Sequence, residues 1–314
     1  MMNRILPAGT RGLLGKVGPL GRRAAWWKPP AHAVQSLLLA TSALTTATAR
    51  GQDIVAHRGA SYDAPENTLA AFRLAWAQGA DGIEGDFHLT KDGQIVCFHD
   101  ATAKRLAGVD REISTMTFDE IRALDVGRWK GGKWAGARVP TLSEVLGTVP
   151  AGKYLLIEVK CGPEIVPQLT RELAVTRLAP DQTRVIAFDR NVVSAVKRDL
   201  PRLKAYWLVG YQQDEKTGQW SPGREEILAT LAEIHADGLD TNGNRAVVDA
   251  AFAHALHAAG MELHVWTIDD GDDARYFQRL GARSITTNRP AFLRAEMMFL
   301  ESPKAKPGAG QAGS

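Results

Sequence analysis

From residue 53 onward the chain alternates short apolar runs with longer amphipathic stretches. Runs at 54–57, 82–87, 95–98, 154–160, 184–188, 205–209, 237–240, 262–267 and 284–287 read as strands. Between most of them, 68–78, 165–177, 192–200, 225–235, 247–259 and 272–280 carry apolar residues at helical spacing. Sustained alternation of this kind predicts a parallel α/β fold. Two of the nine strands cannot be parallel neighbours. Too few residues separate Phe87 from Ile95 for a parallel crossover, which needs about a dozen. They therefore form an antiparallel hairpin turning at Thr90-Lys91-Asp92-Gly93, with Gly93 suited to positive φ. Removing the return strand leaves eight parallel strands, the number that closes a (β/α)8 TIM barrel. An open doubly wound sheet is the competing architecture. It is disfavoured because no Gly-rich dinucleotide fingerprint follows the first strand.

Three segments stand outside the alternation. Residues 101–140 hold Trp129, Trp134, several glycines and one short amphipathic run, and read as a small cap inserted after the hairpin. Residues 302–314 are mostly Pro, Gly, Ala and Lys, a disordered composition. Residues 1–49 have a basic start, a short apolar middle around Leu37, Leu38 and Leu39, and an Ala47-Thr48-Ala49 end, the pattern of an export signal peptide. The apolar part is too short and too rich in Ser and Thr for a stable membrane span. The barrel is then expected over 50–301, in a periplasmic or secreted protein.

The leader also explains the charge. The whole chain carries 38 basic and 35 acidic residues, a net of +3. Residues 50–314 keep 32 of those basic residues against all 35 acids, a net of −3. A broad nucleic-acid surface is excluded on that balance, and an anionic substrate has to be met by local cations.

Active sites of such barrels sit at the C-terminal strand ends. The first strand ends in His57-Arg58-Gly59. Glu84 and Asp86, two apart on the second strand, share one face, and a barrel strand has no solvent face to hide them on. Glu158 and Lys160 repeat the arrangement on the next parallel strand. A hairpin tip at Lys91-Asp92 would set His99 opposite Glu84 and Cys97 opposite Asp86, bringing His99 into the carboxylate site. Three clustered carboxylates need a counter-charge, and an all-oxygen set suits one hard divalent cation, Ca²⁺ or Mg²⁺. Arg58 and Lys160 suit a phosphate. Two histidines suit proton transfer in both directions. The combination points to metal-assisted phosphodiester cleavage.

The same residues carry a family resemblance. His57-Arg58-Gly59-Ala60, Pro65-Glu66-Asn67-Thr68, Glu84-Gly85-Asp86, Thr90-Lys91-Asp92-Gly93, His99-Asp100, Pro140-Thr141-Leu142, Glu158-Val159-Lys160, Val265-Trp266-Thr267 and Thr287-Asn288-Arg289-Pro290 occur in this order. As a set they resemble the glycerophosphodiester phosphodiesterase family. The resemblance implies a TIM barrel with a small cap and one Ca²⁺ or Mg²⁺ held by Glu84, Asp86 and Glu158. It implies His57 and His99 as acid and base, in an order left open, and Arg58 and Lys160 as phosphate ligands. The mechanism it implies is attack of a glycerol 2-hydroxyl on phosphorus, followed by opening of the cyclic phosphate by water. The implied substrate is a small glycerophosphodiester, giving glycerol 3-phosphate and an alcohol. Asn288 departs from the Asp more usual in the family, and Gly85 is smaller than the usual apolar residue.

Further expectations concern single residues. Asn67 suits a helix N-cap, Glu66 can orient Arg58 or the metal shell, and Trp266 can wall the pocket against the glycerol carbons. Cys97 and Cys161 should face opposite sides and stay free thiols. Two other functions fit the pattern. One is a phospholipase D-like or phosphoinositide-cleaving barrel acting on lysophospholipids, which needs an apolar groove in the cap. The other is a non-catalytic barrel that captures glycerophosphodiesters, for which two proton-transfer groups would be superfluous. Head-group preference and oligomeric state leave no mark in the sequence.

Overall fold

The computed structural model describes residues 52–298. The expected leader at 1–49 and tail at 302–314 lie outside the described residues. The strands are β1 (Asp53–Ala56), β2 (Gly82–Leu89), β3 (Ile95–Cys97), β4 (Tyr154–Val159), β5 (Thr183–Ala187), β6 (Lys204–Val209), β7 (Gln212–Gln213), β8 (Trp220–Ser221), β9 (Gly238–Asn242), β10 (Glu262–Trp266) and β11 (Ser284–Thr287). Parallel pairing runs β1, β2, β4, β5, β6, β9, β10, β11 and returns to β1, so the sheet closes on itself. Strand β3 pairs antiparallel with β2 outside the ring, and β7 and β8 form a small hairpin that the pattern did not announce. The fold is a closed eight-stranded TIM barrel, as the alternation predicts.

A helix follows each barrel strand: α1 (Leu69–Ala77) after β1, then, beyond the insertion helices α2 (Lys104–Ala107) and α3 (Phe118–Arg122), α4 (Leu142–Leu146) after β2 and β3. The rest are α5 (Val166–Val175), α6 (Arg190–Asp199), α7 (Arg224–Glu233), α8 (Ala250–Ala258), α9 (Gly271–Arg279) and α10 (Pro290–Met298). Helix α1 starts where Thr68 Oγ1 accepts the Ala71 N–H at 3.2 Å, and it turns Phe72 and Ala75 onto the barrel. The short α4 escapes a periodicity reading but is fixed by a reciprocal capping box between Thr141 and Glu144.

Alternate residues of the strands separate two apolar layers. Outward residues such as Ile83, Leu155, Ile157, Val185, Leu239 and Val265 join the helices in the main core. Inward residues Val55, Leu156, Ile186, Tyr206 and Leu208 fill the lumen. At the N-terminal end of the lumen, His264 bridges Ser284 Oγ at 2.7 Å and Glu262 at 3.3 Å, and Tyr206 donates to Glu262 at 2.7 Å. The lumen is thus plugged at one end, and the polar residues at the other end face a cavity.

The insertion builds its own small core. Leu106, Ile113, Met116, Ile121, Val126 and Val139 bury themselves against Val96 and Phe98 of the hairpin. Arg122 clamps Glu144 with bonds of 2.6 and 2.7 Å and ties the insertion to α4.

The hairpin register differs by one residue from the expectation. Cys97 lies opposite Phe87, not Asp86, and His88 lies opposite Val96. The cause is the turn: the Thr90 N–H donates to Gln94 O at 2.9 Å, so the loop is Lys91-Asp92-Gly93, three residues rather than two. Gly93 closes it in the left-handed region, with φ of 81°. Nothing lies within 4 Å of where its Cβ would sit, so backbone strain is the whole cost of a side chain there. Gly93→Ala should therefore lower unfolding free energy by about 1 kcal/mol and Gly93→Asn by less, with unchanged m-values in urea titrations.

Candidate active site

Glu84 and Asp86 point inward from β2 and Glu158 inward from β4, because each pair of positions shares the strand's two-residue period. They are 2, 0 and 7% exposed. One carboxylate oxygen from each lies within 4.8 Å of the others. Burial, then the neighbouring Asp86 and Glu158 charges, raise the Glu84 carboxyl well above its usual range. Burial and Asp86 push Glu158 up to about 7 against the pull of Lys160. Asp86 moves the other way. Burial opposes its charge, but Arg58 and Lys160 outweigh that and hold it low. Glu84 Oε1 and Asp86 Oδ1 are buried without a hydrogen-bond partner. Orphaned, buried, oxygen-only donors at this spacing fit one divalent cation.

Two cations flank the cluster. Arg58 adopts a left-handed backbone, φ 55°, rare for a residue with a Cβ. That turn directs its N–H to Glu84 Oε2 at 2.8 Å and its guanidinium to Asp86 at 3.3 Å and Glu66 at 3.1 Å. Glu66 thus orients Arg58, one of the two roles expected of it. Lys160 Nζ donates to Glu158 at 2.7 Å and lies 3.6 Å from Asp86.

Asn67 does not cap α1; Thr68 does. The left-handed φ of 57° at Asn67 is incompatible with the extended cap conformation. Asn67 instead clasps Asp86, donating from Nδ2 to Oδ2 at 2.7 Å and accepting the Asp86 N–H at 3.2 Å.

His57, His99, Arg58, Glu84, Glu158, Lys160 and Trp266 line one cavity of about 170 Å³. His99 arrives there by a different route from the one expected. The register shift would turn residue 99 outward, but β3 ends at Cys97, and after the Phe98 N–H donates to Asp86 O at 2.8 Å the chain leaves the ladder. The shift does act on Cys97, which belongs to the outer core rather than the lumen. Its Sγ and the Phe72 ring occupy the space beside Gly85, 3.2 and 3.1 Å from where a Cβ would sit, so the small residue there leaves no packing defect. Both cysteines are free.

The two histidines have different supports. His57 Nδ1 lies 2.8 Å from Asn288 Oδ1, a neutral amide. Burial, then Arg58, lowers the His57 pKa to about 4. His99 Nδ1 lies 2.7 Å from the Asp100 carboxylate. Arg105 of α2 holds that carboxylate at 2.7 and 3.0 Å and grips Glu66 at 2.7 and 2.9 Å. Its hydrogen bonds come first among the causes that bring Asp100 down to about 2. His88 adds a contact of 3.4 Å to the His99 carbonyl.

The far wall is apolar. Trp266 meets Phe188 edge-on at 5.7 Å, with Ile186 and Leu208 beside them. Asp240, Thr286 and Trp266 each present a buried polar atom without a partner. Burial raises the Asp240 carboxyl well above its usual value. Sequence reasoning gave no role to Asp100, Arg105, Asp240 or Asp269, the last of which accepts from Thr287 and Asn288. Asp240 was within reach, since inward parity on β9 marks it, whereas the other three sit on loops or the insertion, where no period applies. A larger cavity of about 620 Å³ at the opposite barrel end, lined by Asp53, Tyr154, Arg184 and Arg294 among others, holds none of these groups.

Fold and site together define a TIM-barrel enzyme of phosphate diesters. Residues 57–292 match the glycerophosphoryl diester phosphodiesterase family. A glycerophosphodiester phosphodiesterase of Caldanaerobacter subterraneus is 32% identical over 244 residues, covering 76% of this chain and 95% of the relative. Among solved structures, an Oleispira antarctica phosphodiesterase in complex with the product sn-glycerol-3-phosphate superposes with a TM-score of 0.68 at 25% identity, covering 80% of this chain and 97% of the other. A glycerophosphodiester phosphodiesterase from Agrobacterium tumefaciens gives 0.64 at 27% identity, covering 78% and 99%. The chain belongs to the glycerophosphodiester phosphodiesterase family.

A divalent ion must displace the proton that the empty cluster holds at low pH. Because Glu158 titrates near 7 in the folded protein, ion affinity should fall as pH drops below that value. In thermal melts, millimolar Ca²⁺ or Mg²⁺ should raise Tm more at pH 8 than at pH 6. Glu158→Gln should erase most of the rise at both.

Proposed function

We propose that this chain hydrolyses small glycerophosphodiesters, such as glycerophosphocholine or glycerophosphoethanolamine, to glycerol 3-phosphate and an alcohol, with His57 as base and His99 as acid. The carrying observation is that two histidines line one cavity with the carboxylate cluster, yet lean on partners of different charge. Two groups of one type held on partners of different charge suit opposite proton-transfer roles. His57, buried beside Arg58 and supported by an amide, is neutral at pH 7. His99 instead holds Nδ1 against the Asp100 carboxylate.

Glu84, Asp86 and Glu158 would hold one Ca²⁺ or Mg²⁺. Bound there, it supplies Lewis-acid charge to the phosphoryl and hydroxyl oxygens. Arg58 and Lys160 bind the phosphoryl oxygens and offset the charge that develops on them. His57 Nε2 takes the proton of the glycerol 2-hydroxyl as that oxygen attacks phosphorus. His99 Nε2 gives its proton to the departing alcohol. Water then opens the cyclic ester with the two roles reversed. Trp266 and Phe188 wall the glycerol carbons, and the unpartnered atoms of Asp240 and Thr286 offer hydrogen bonds to its hydroxyls.

Deacylated substrates are favoured over lysophospholipids. No residue of 101–140 lines the cavity; most of the insertion's aliphatic side chains pack into its own core, and the exposed Trp129 lies outside the cavity lining. Among the described residues no helix is long and apolar enough to cross a membrane. The leader pattern supports export, and N-terminal sequencing of exported protein should begin near residue 50.

A coupled assay for glycerol 3-phosphate tests the reading directly. Folded protein that releases none from any head group, with either ion, overturns it. His99→Ala should cut kcat by about 10²–10⁴-fold with an unchanged melting profile. The essential base must be neutral to act, and its pKa lies below that of free histidine. At saturating divalent ion, kcat/KM should therefore stay flat as pH falls through 6.5 and drop only near pH 4 to 5.

A further inference from the structure

Three consecutive strand ends, after β10, β11 and β1, place Asp269, Asn288 and His57 in line. Asp269 Oδ1 accepts the Asn288 backbone N–H at 2.8 Å and the Thr287 hydroxyl at 2.7 Å. Asp269 Oδ2 accepts Asn288 Nδ2 at 2.7 Å. Asn288 Oδ1 then faces His57 Nδ1 at 2.8 Å and accepts the Ser61 hydroxyl at 3.0 Å.

The donor count makes this a lock. A carboxylate has only acceptors, so the Asn288 group facing Asp269 must be the amide NH₂. The group facing His57 must then be the amide oxygen, and an oxygen acceptor requires the hydrogen on Nδ1. That leaves the His57 Nε2 lone pair for the cavity. We infer that Asp269 and Asn288 are positioning residues that fix the tautomer of His57 through a neutral amide. The inference rests on His57 as the base in the proposed reaction. It also accounts for Asn where the family resemblance leads one to expect Asp. With Asp269 already present, a second acid in place of Asn288 would set two carboxylates face to face at the distance of a hydrogen bond.

The same logic predicts a charge swap. In Asp269→Asn, the side that receives two donors keeps the new oxygen, and the new NH₂ faces the NH₂ of Asn288. Asn288 has to rotate and present its NH₂ to His57, which moves the ring hydrogen to Nε2. In Asn288→Asp, the two carboxylates repel and the contact with His57 is displaced. Combining the two restores one amide and one acid in reversed order. The carboxylate, now in the middle, accepts both from the amide behind it and from His57.

The experiment measures kcat, KM and melting temperature for both single variants and the double variant. It also reads the His57 tautomer by ¹⁵N imidazole NMR, with the ring assigned by its loss in His57→Ala. Each single variant should lose about 10²-fold or more in kcat with little change in KM. The double variant should recover to within about tenfold of the parent. NMR should show hydrogen on Nδ1 in the parent and the double variant, and on Nε2 in Asp269→Asn. Hydrogen on Nε2 in the parent overturns the inference even if a variant fails to fold or the parent shows no turnover. So does a double variant no faster than the slower single one. Absence of turnover with the parent tautomer as expected counts against the catalytic reading alone.

Discussion

Three buried carboxylates within reach of one another at the mouth of the barrel are the constraint from which the rest of the site follows. Each buried ion costs several kcal/mol unless matched, and Glu84, Asp86 and Glu158 are all buried. The match is built from the backbone upward. Arg58 and Asn67 take left-handed conformations, each of which costs about 1–2 kcal/mol, and both conformations serve to hold donors against Glu84 and Asp86. Lys160 adds a second cation from the strand that carries Glu158. Even so, Glu84 Oε1 and Asp86 Oδ1 keep no partner. Surrounding donors satisfy one oxygen each of Glu84 and Asp86 and leave the other without a hydrogen bond. That division fits a divalent cation better than a plain structural ion-pair network.

The insertion is bound into this scheme through one side chain. Arg105, carried on α2, grips Glu66, which orients Arg58, and also Asp100, which supports His99. A chain of charge-assisted bonds thereby runs from the Arg58 guanidinium to His99 without passing through the carboxylate cluster. The apolar core of the insertion explains why it can serve as a support. Its helices pack on the hairpin through Val96 and Phe98 in one apolar cluster.

What the sequence revealed divides along a physical line. Eight barrel strands, the hairpin and the inward facing of Glu84, Asp86, Glu158 and Lys160 were legible, because a two-residue period inside a closed barrel leaves a charged side chain only one place to go. The hairpin register was not, since it turns on whether Gly93 closes a loop of two residues or three, and composition is the same for both. Asn67 satisfied every local rule for a cap and was taken instead by Asp86, a long-range partner stronger than a helix N–H. Asp100, Arg105 and Asp269 act from loops and a short helix, where facing is set by tertiary contacts rather than by period.

The two histidines show how one site gives the same side chain two different settings. Each is fixed through Nδ1, and in each case an acidic residue stands behind the arrangement: Asp100 in direct contact with His99, Asp269 at one remove from His57. The intervening Asn288 changes the outcome. A carboxylate in contact with the ring adds negative charge beside it, whereas an amide in contact fixes the tautomer without doing so. Beside Arg58 and in the absence of a contacting carboxylate, burial keeps His57 neutral. Placing one neutral residue between acid and ring therefore separates orientation from charge. That separation gives two histidines on one cavity of about 170 Å³ supports of different charge, the asymmetry on which the proposed base and acid roles rest.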